Sequence, residues 1–239
     1  MTADSPVRPP GDLDLSRVEV AQLWWFSDGA IMNPDTRERL RRSWGLCDRH
    51  TWAYFVVECE LRWQPLGTAT LYQDLLERMV RSWPHPWTPP ASRRHIFAGH
   101  PWCPTCDYAE MAAGAAWFDE EQRKANLRQR SNAFVAGCQA EWQSLMCPWC
   151  VPTGPGIPCR QHLASGAAAP DHTVRDALAG LRKPLTRCIR SMTHDGPPPS
   201  PEANAALVAT LGWFAGWQPA LALAPDAWSA PATRGGGES

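Results

Sequence analysis

The sequence predicts an all-α protein, a helical bundle with two Cys/His zinc-knuckle sites and Pro-rich connecting loops. Three observations predict it. Apolar residues recur at steps of three and four in nearly every segment, and no stretch shows the period-two alternation of a half-buried strand. Four short units each place two soft metal ligands three positions apart. The 24 prolines gather between the periodic segments, where they end one helix and open the next.

The elements follow in order. Ser16 and Glu19 form an S-x-x-E capping box ahead of Val20, Leu23 and Trp24, and Gly29 is placed to end that helix. Asn33 and Pro34 supply a cap and a first helical proline, Leu40 and Trp44 share a face, and Gly45 stops the helix. A helix from Asp48 to Trp63 puts Trp52, Phe55, Val56, Cys59 and Trp63 on one stripe. Thr68 caps a helix carrying Leu71, Leu75, Leu76, Met79 and Trp83. The proline cluster that follows reads as a linker, 84–99.

Beyond it, a helix is expected from Asp107 to Phe118, and one long helix from Glu120 to Leu145. The Pro/Gly-rich segment Cys147 to Cys159 must be loop. Val174 to Met192 is helical, with a kink expected at Pro184. Ser200 and Pro201 open a final helix within 196–225. Residues 1–14 and 226–239 read as disordered ends, leaving an N-terminal helical half at 15–83 and a C-terminal half at 100–195.

Composition narrows function. The chain of 239 residues can bury a real core, and 23 Lys+Arg against 24 Asp+Glu removes any global electrostatic case for nucleic acid. Met1 to Pro10 lacks a signal-peptide core, so a cytoplasmic location is expected, where nine cysteines point to metal or redox chemistry rather than disulfides. Ala203 to Pro225 carries no charge, but Asn204, Thr210, Gln218 and Pro219 make it a core helix, and no membrane span is expected.

The chemistry lies in Cys47-Asp-Arg-His50, Cys103-Pro-Thr-Cys106, Cys147-Pro-Trp-Cys150 and Cys159-Arg-Gln-His162. Two C-x-x-C and two C-x-x-H units make eight ligands, enough for two tetrahedral Cys3His sites. Gly45 allows a sharp turn into Cys47, whose thiolate would gain from a helix N-terminus. Loop-closure cost favours a local pairing, Cys147/Cys150 with Cys159/His162, leaving Cys47/His50 for Cys103/Cys106. A crossed pairing of Cys103/Cys106 with Cys159/His162 stays open, as does His100 in place of His50, with His95 nearby. Cys59, Cys138 and Cys188 sit at apolar positions and read as buried hydrophobes.

Zinc is preferred to thiol redox chemistry at the C-P-x-C units, and both to an iron–sulfur cluster, which normally takes four cysteines. Four protein ligands per ion leave no position for a reacting water, so the sites read as structural. No H-x-E deaminase frame, phosphate loop, serine elbow or H-E-x-x-H is present.

Of the 14 tryptophans, Trp24, Trp52, Trp63 and Trp142 lie on core stripes, Trp102 and Trp149 flank the metal units, and Trp83, Trp87, Trp213 and Trp217 are expected at the surface. Arg37, Arg39, Arg41 and Arg42, and Arg123, Lys124, Arg128 and Arg130, form two basic runs that offer a surface to a protein or nucleic-acid partner. Glu58, Glu60 and Glu77 have no evident partner.

Through Gly45-Leu-Cys-Asp-Arg-His50, Cys103-Pro-Thr-Cys106 and the preceding Asn33-Pro34-Asp35, the chain resembles a group of uncharacterised bacterial Cys/His-rich helical proteins. The resemblance spans about Leu23 to Leu163 and implies a helical scaffold with metal ligands, and no activity. It departs from that pattern in having no C-P-x-C unit before Asn33. The function expected is therefore a zinc-binding scaffold or regulatory binding module; the alternative is a thiol-redox or accessory biosynthetic enzyme using the C-P-x-C cysteines.

Overall fold

A computed structural model describes residues 12–109, 118–152 and 154–224. Among them every regular element is helical. The helices are α1 (Arg17–Ser27), α2 (Pro34–Ser43), α3 (Asp48–Val57), α4 (Leu66–Arg81), α5 (Pro90–Ala98), α6 (Pro104–Ala109), α7 (Asp119–Leu127), α8 (Gln129–Ala136), α9 (Gln139–Gln143), α10 (Arg160–Ser165), α11 (His172–Ser191), α12 (Pro201–Ala215) and α13 (Gln218–Leu223). Residues 1–11 and 225–239 and much of the expected 107–118 helix lie outside the described residues, whereas Leu13, expected in the disordered N-terminus 1–14, is fully buried in the core.

Two helices form the axis of the core. In α3 every residue from His50 to Val57 is buried, and in α12 all but Asn204 are buried from Ala203 to Ala215. Helices apolar on every side must be wrapped by others. Around α12 pack α11, α9, α3, α10, α4 and α8. One continuous core runs from Leu13 to Ala224 and joins both halves of the chain. No helix among the described residues is long and apolar enough to cross a membrane.

The caps of α1 and α2 are those the sequence foretells. The Ser16 hydroxyl accepts from Glu19 N–H while the Glu19 carboxylate accepts from Ser16 N–H, and the Asn33 side chain accepts from Asp35 and Thr36. Gly45 has φ +101, and a Cβ there would lie 2.5 Å from the Tyr72 hydroxyl, so only glycine turns the chain from α2 into Cys47.

Three expectations need correction. The 84–99 linker contains α5, because Pro90 sits in the first turn, where a missing N–H costs nothing. Thr68 does not cap α4; the buried Glu58 carboxylate does, accepting from Gly67 and Thr68 N–H at 3.1 and 2.7 Å. The 120–145 helix is three, α7, α8 and α9, with Arg128 left-handed at the first break. Helix α11 spans the expected segment and contains Pro184 within it.

The 48–63 helix also changes character. After α3 it continues as a π-helical turn, Glu58–Arg62. That turn spreads two nearby carboxylates to different neighbours: Glu58 caps α4, and Glu60 caps α8 by accepting from Ser131 N–H and hydroxyl at 2.8 and 2.9 Å. The turn ends at Trp63, which is left-handed, 72% exposed and covered by the Arg130 guanidinium at 4.1 Å, not on the core stripe. Trp213 and Trp217, expected outside, are 2% and 1% exposed, because α12 and its extension form the centre of the bundle.

Candidate metal centres

Both C-x-x-H units use the same local geometry. Cys47 is the N-cap of α3 and Cys159 of α10, each with an extended backbone, φ −63, ψ 167 and φ −76, ψ 166. Neither thiol makes a side-chain capping bond, so each sulfur is free to turn outward, and His50 and His162 follow in the first helical turn. Each C-P-x-C unit makes a tight turn: Asp107 N–H bonds Cys103 O, and Cys150 and Val151 N–H bond Cys147 O.

The eight donors come together as two groups of four, Cys47/His50/Cys103/Cys106 and Cys147/Cys150/Cys159/His162, each within 4.8 Å. In the first, His50 Nδ1 lies 3.2, 3.4 and 3.3 Å from the Cys47, Cys103 and Cys106 sulfurs, and Cys47 and Cys106 are 3.7 Å apart. In the second, His162 Nδ1 lies 3.1, 3.5 and 3.7 Å from Cys159, Cys147 and Cys150, and Cys150 and Cys159 are 3.6 Å apart. A tetrahedron with metal–sulfur bonds of about 2.3 Å and a metal–nitrogen bond of about 2.0 Å has edges of about 3.8 Å between sulfurs and about 3.5 Å between sulfur and nitrogen. The donors thus stand on the corners of a four-coordinate shell. A disulfide needs sulfurs about 2.05 Å apart, and all nine cysteines are unpaired.

The electrostatics fit a cation. Hydrogen bonds from Cys106 and Cys47 pull the Cys103 thiol far below the ordinary range against the effect of burial, and the same contacts push Cys47 far up; in the second group Cys150 and Cys159 lower Cys147 while they are themselves raised. Burial disfavours charge on His50, yet the Cys103 and Cys106 sulfurs and Glu19 outweigh it and raise His50 to about 11. Without a metal, one thiolate in each group is thus stabilised by protonated neighbours, and a bound ion would displace those protons.

The surroundings differ. In the first group His50 is 4% exposed, and its Nε2 bonds the Glu19 carboxylate at 3.0 Å. That is the carboxylate–histidine support that fixes a ligand's tautomer and ring orientation. Burial opposes the Glu19 charge, but His50, the Ser16 backbone and Arg49 prevail and lower it to about 2. Among the described residues no carboxylate reaches His162, whose ring faces Trp149 at 6.3 Å. The second group is docked on the core instead: Trp213 Nε1 donates to Pro158 O at 2.9 Å and Gln218 Nε2 to Cys150 O at 3.1 Å.

His95 and His100 are exposed and belong to neither group. Cys59, Cys138 and Cys188 are buried, and burial pushes all three thiols up, as inert core groups require. Four residues that the sequence did not single out as supports matter here. Glu19 was visible only as a capping residue, Glu58 and Glu60 turn out to be helix caps, and Arg160, beside Cys159, is buried and donates to Phe97, Ala98 and Phe214 carbonyls. The basic runs are largely engaged within the chain. Arg41 grips Asp74 through two bonds of 2.8 Å, Arg37 lies 3.7 Å from the same carboxylate, and Arg42, Arg123 and Arg128 pair with Glu38, Glu120 and Asp14.

Compared with protein-family models, with curated proteins and with solved structures, the chain gives no match.

Proposed function

We propose that this is a zinc-binding helical protein whose two Cys3His groups hold structural Zn2+, working in the cytoplasm as a scaffold or regulatory binding module. The observation that supports it is the convergence of eight donors on two tetrahedral shells. Three thiolates and one imidazole suit zinc, and four protein ligands complete its shell, leaving no site for a substrate or a reacting water. The resemblance of the GLCxxH and CPxC units to uncharacterised bacterial proteins points the same way.

In this reading the ions replace long-range packing where core is thin. The first ties the α2–α3 corner to α6, and the second closes the loop between α9 and α10. The test is metal analysis of the purified full chain together with thiol titration. Two zinc per chain, with the ligand thiols unreactive until a chelator is added, is the expected result. Substoichiometric metal with a reversible Cys103–Cys106 disulfide would replace this reading by thiol-redox chemistry.

A further inference from the structure

A cleft of roughly 770 Å3 opens beside the first metal group, and its wall chemistry is one-sided. Arg41 and Arg42 reach it from the last turn of α2, Arg78 and Arg81 from the last turn of α4, and His95 and His100 from α5 and the loop after it. No carboxylate lines it. Between Glu77 and Asp107 the sequence contains four arginines, three histidines and no acidic residue, so the face that α5 brings to the cleft has no counter-charge of its own.

A cation in the last turn suits a helix dipole, but here two helix ends deliver four guanidiniums to one concavity. Three of them have a carboxylate alongside: Asp74 for Arg41, Glu38 for Arg42 at 3.3 Å and Glu77 for Arg81 at 3.8 Å. None of these acids lines the cleft. Among the described residues no carboxylate lies within ion-pair distance of Arg78, His95 or His100. The remainder of the lining is Ser82, Gly99 and the apolar Trp44, Ile96 and Pro101, which offer a surface for an organic body.

The walls are fixed before any ligand arrives. His100 N–H donates to Arg42 O at 2.9 Å, and the buried Trp44 indole donates to Ile96 O at 2.7 Å, so the α2 corner and the α5 loop are bonded directly. Gly99, at φ +68, lets that loop press against Trp44, where a Cβ would come within 2.7 Å. Three residues past Trp44 comes Cys47, and two past Pro101 comes Cys103, so the segments that form both walls lead directly into ligands of the first metal group. Arg160 holds α5 from below through the Phe97 and Ala98 carbonyls. Several guanidiniums on one concavity, with Arg78 outside any ion pair among the described residues, can meet phosphate oxygens, and the volume falls within the range of small-ligand sites.

We propose that this cleft binds a small organic phosphate carrying two or three phosphoryl groups, of the size and chemistry of a nucleoside di- or triphosphate. The proposal rests on the metal reading only in that the first cage holds the walls in place.

The test is isothermal titration of the full, metal-loaded chain with ATP, with adenosine as the uncharged control, and with zinc content measured before and after. ATP binds and adenosine does not. Arg78→Gln and Arg81→Gln each weaken ATP binding on the order of tenfold, the loss of one charge-assisted contact, and keep the wild-type zinc content. Arg123→Gln, on α7 outside the cleft, leaves binding unchanged. Absence of ATP binding by a chain that holds two zinc ions overturns the cleft proposal and leaves the metal reading standing. Binding insensitive to Arg78 and Arg81 overturns it also. So does a single-stranded oligonucleotide that binds more tightly than ATP and depends on Arg93 and Arg175 of the neighbouring groove, since that result would make the basic surface a strand-binding track. A chain without zinc that still binds ATP through Arg78 would separate the two claims the other way.

Discussion

The two Cys3His groups share donors, spacing and helix-cap geometry, yet they do different work. The first joins residues 53 positions apart, His50 and Cys103, whereas the second joins Cys150 and Cys159 only 9 apart. On loop-closure entropy, the longer loop removes about 1.5 kcal/mol more from the unfolded chain. The second group is a local knuckle that can assemble early and then dock on α12 through Trp213 and Gln218. The first can form only when both sides of the core have come together, and it carries a buried carboxylate support, Glu19, that the second lacks. One motif thus serves in one place to shape a loop and in another to bolt the tertiary structure.

The comparison breaks most sharply under chelation. Stripping both ions should abolish cooperative unfolding in urea, because six ligand thiols and two imidazoles would then be left clustered without the cation that binds them. Cys103→Ser should lower stability by several kcal/mol, about the loss of a long-loop disulfide, and more than Cys150→Ser, which opens only the short loop. Equal losses in the two variants would erase the distinction. Since Cys106 is exposed, it should be the first ligand thiol to react with iodoacetamide when chelator is added slowly, as peptide mass mapping would show.

Glu19→Gln sharpens the comparison at a single site. It should weaken zinc binding at the first group by about 10- to 100-fold and leave the second unchanged, so that competition with a chromophoric chelator becomes clearly biphasic. A smaller effect comes from Asp74. Arg41 hydrogen bonds hold this carboxyl below the usual aspartate range. A depressed folded pKa gives stability that is present above about pH 4, the ordinary aspartate value, and lost as pH falls below it. Asp74→Asn should therefore cost about 1 kcal/mol at pH 7 and nothing once acid has protonated the wild-type residue. Last, Trp87→Ala, at a side chain 82% exposed, should change the melting midpoint by an amount within ~0.5 kcal/mol of zero.

The sequence made the ligand sets legible because coordination imposes fixed residue types at fixed spacing. The same holds for Ser16/Glu19 and Asn33/Pro34, where local backbone bonds dictate the residue. What it hid was long-range or conformational. Glu19 looked complete as a cap, and nothing local says its second oxygen meets His50, 31 residues on. The helix stops at Trp63 and Arg128 are left-handed without glycine, so the usual stop signal, which Gly45 supplies after Trp44, is missing there. The breaks that divide α7, α8 and α9 keep Val135 and Trp142 facing inward, so the apolar period runs on across them and suggests one helix. Trp213 and Trp217 follow from neither period nor flanks; their burial depends on α12 lying at the centre of all the others.

The most direct measurement is zinc K-edge absorption spectroscopy on the purified full chain, with metal content determined on the same sample. The account predicts two zinc ions per chain and an average shell of three sulfurs at about 2.3 Å and one nitrogen at about 2.0 Å. A chain that folds cooperatively without metal, or one whose ion carries a different shell, would contradict it.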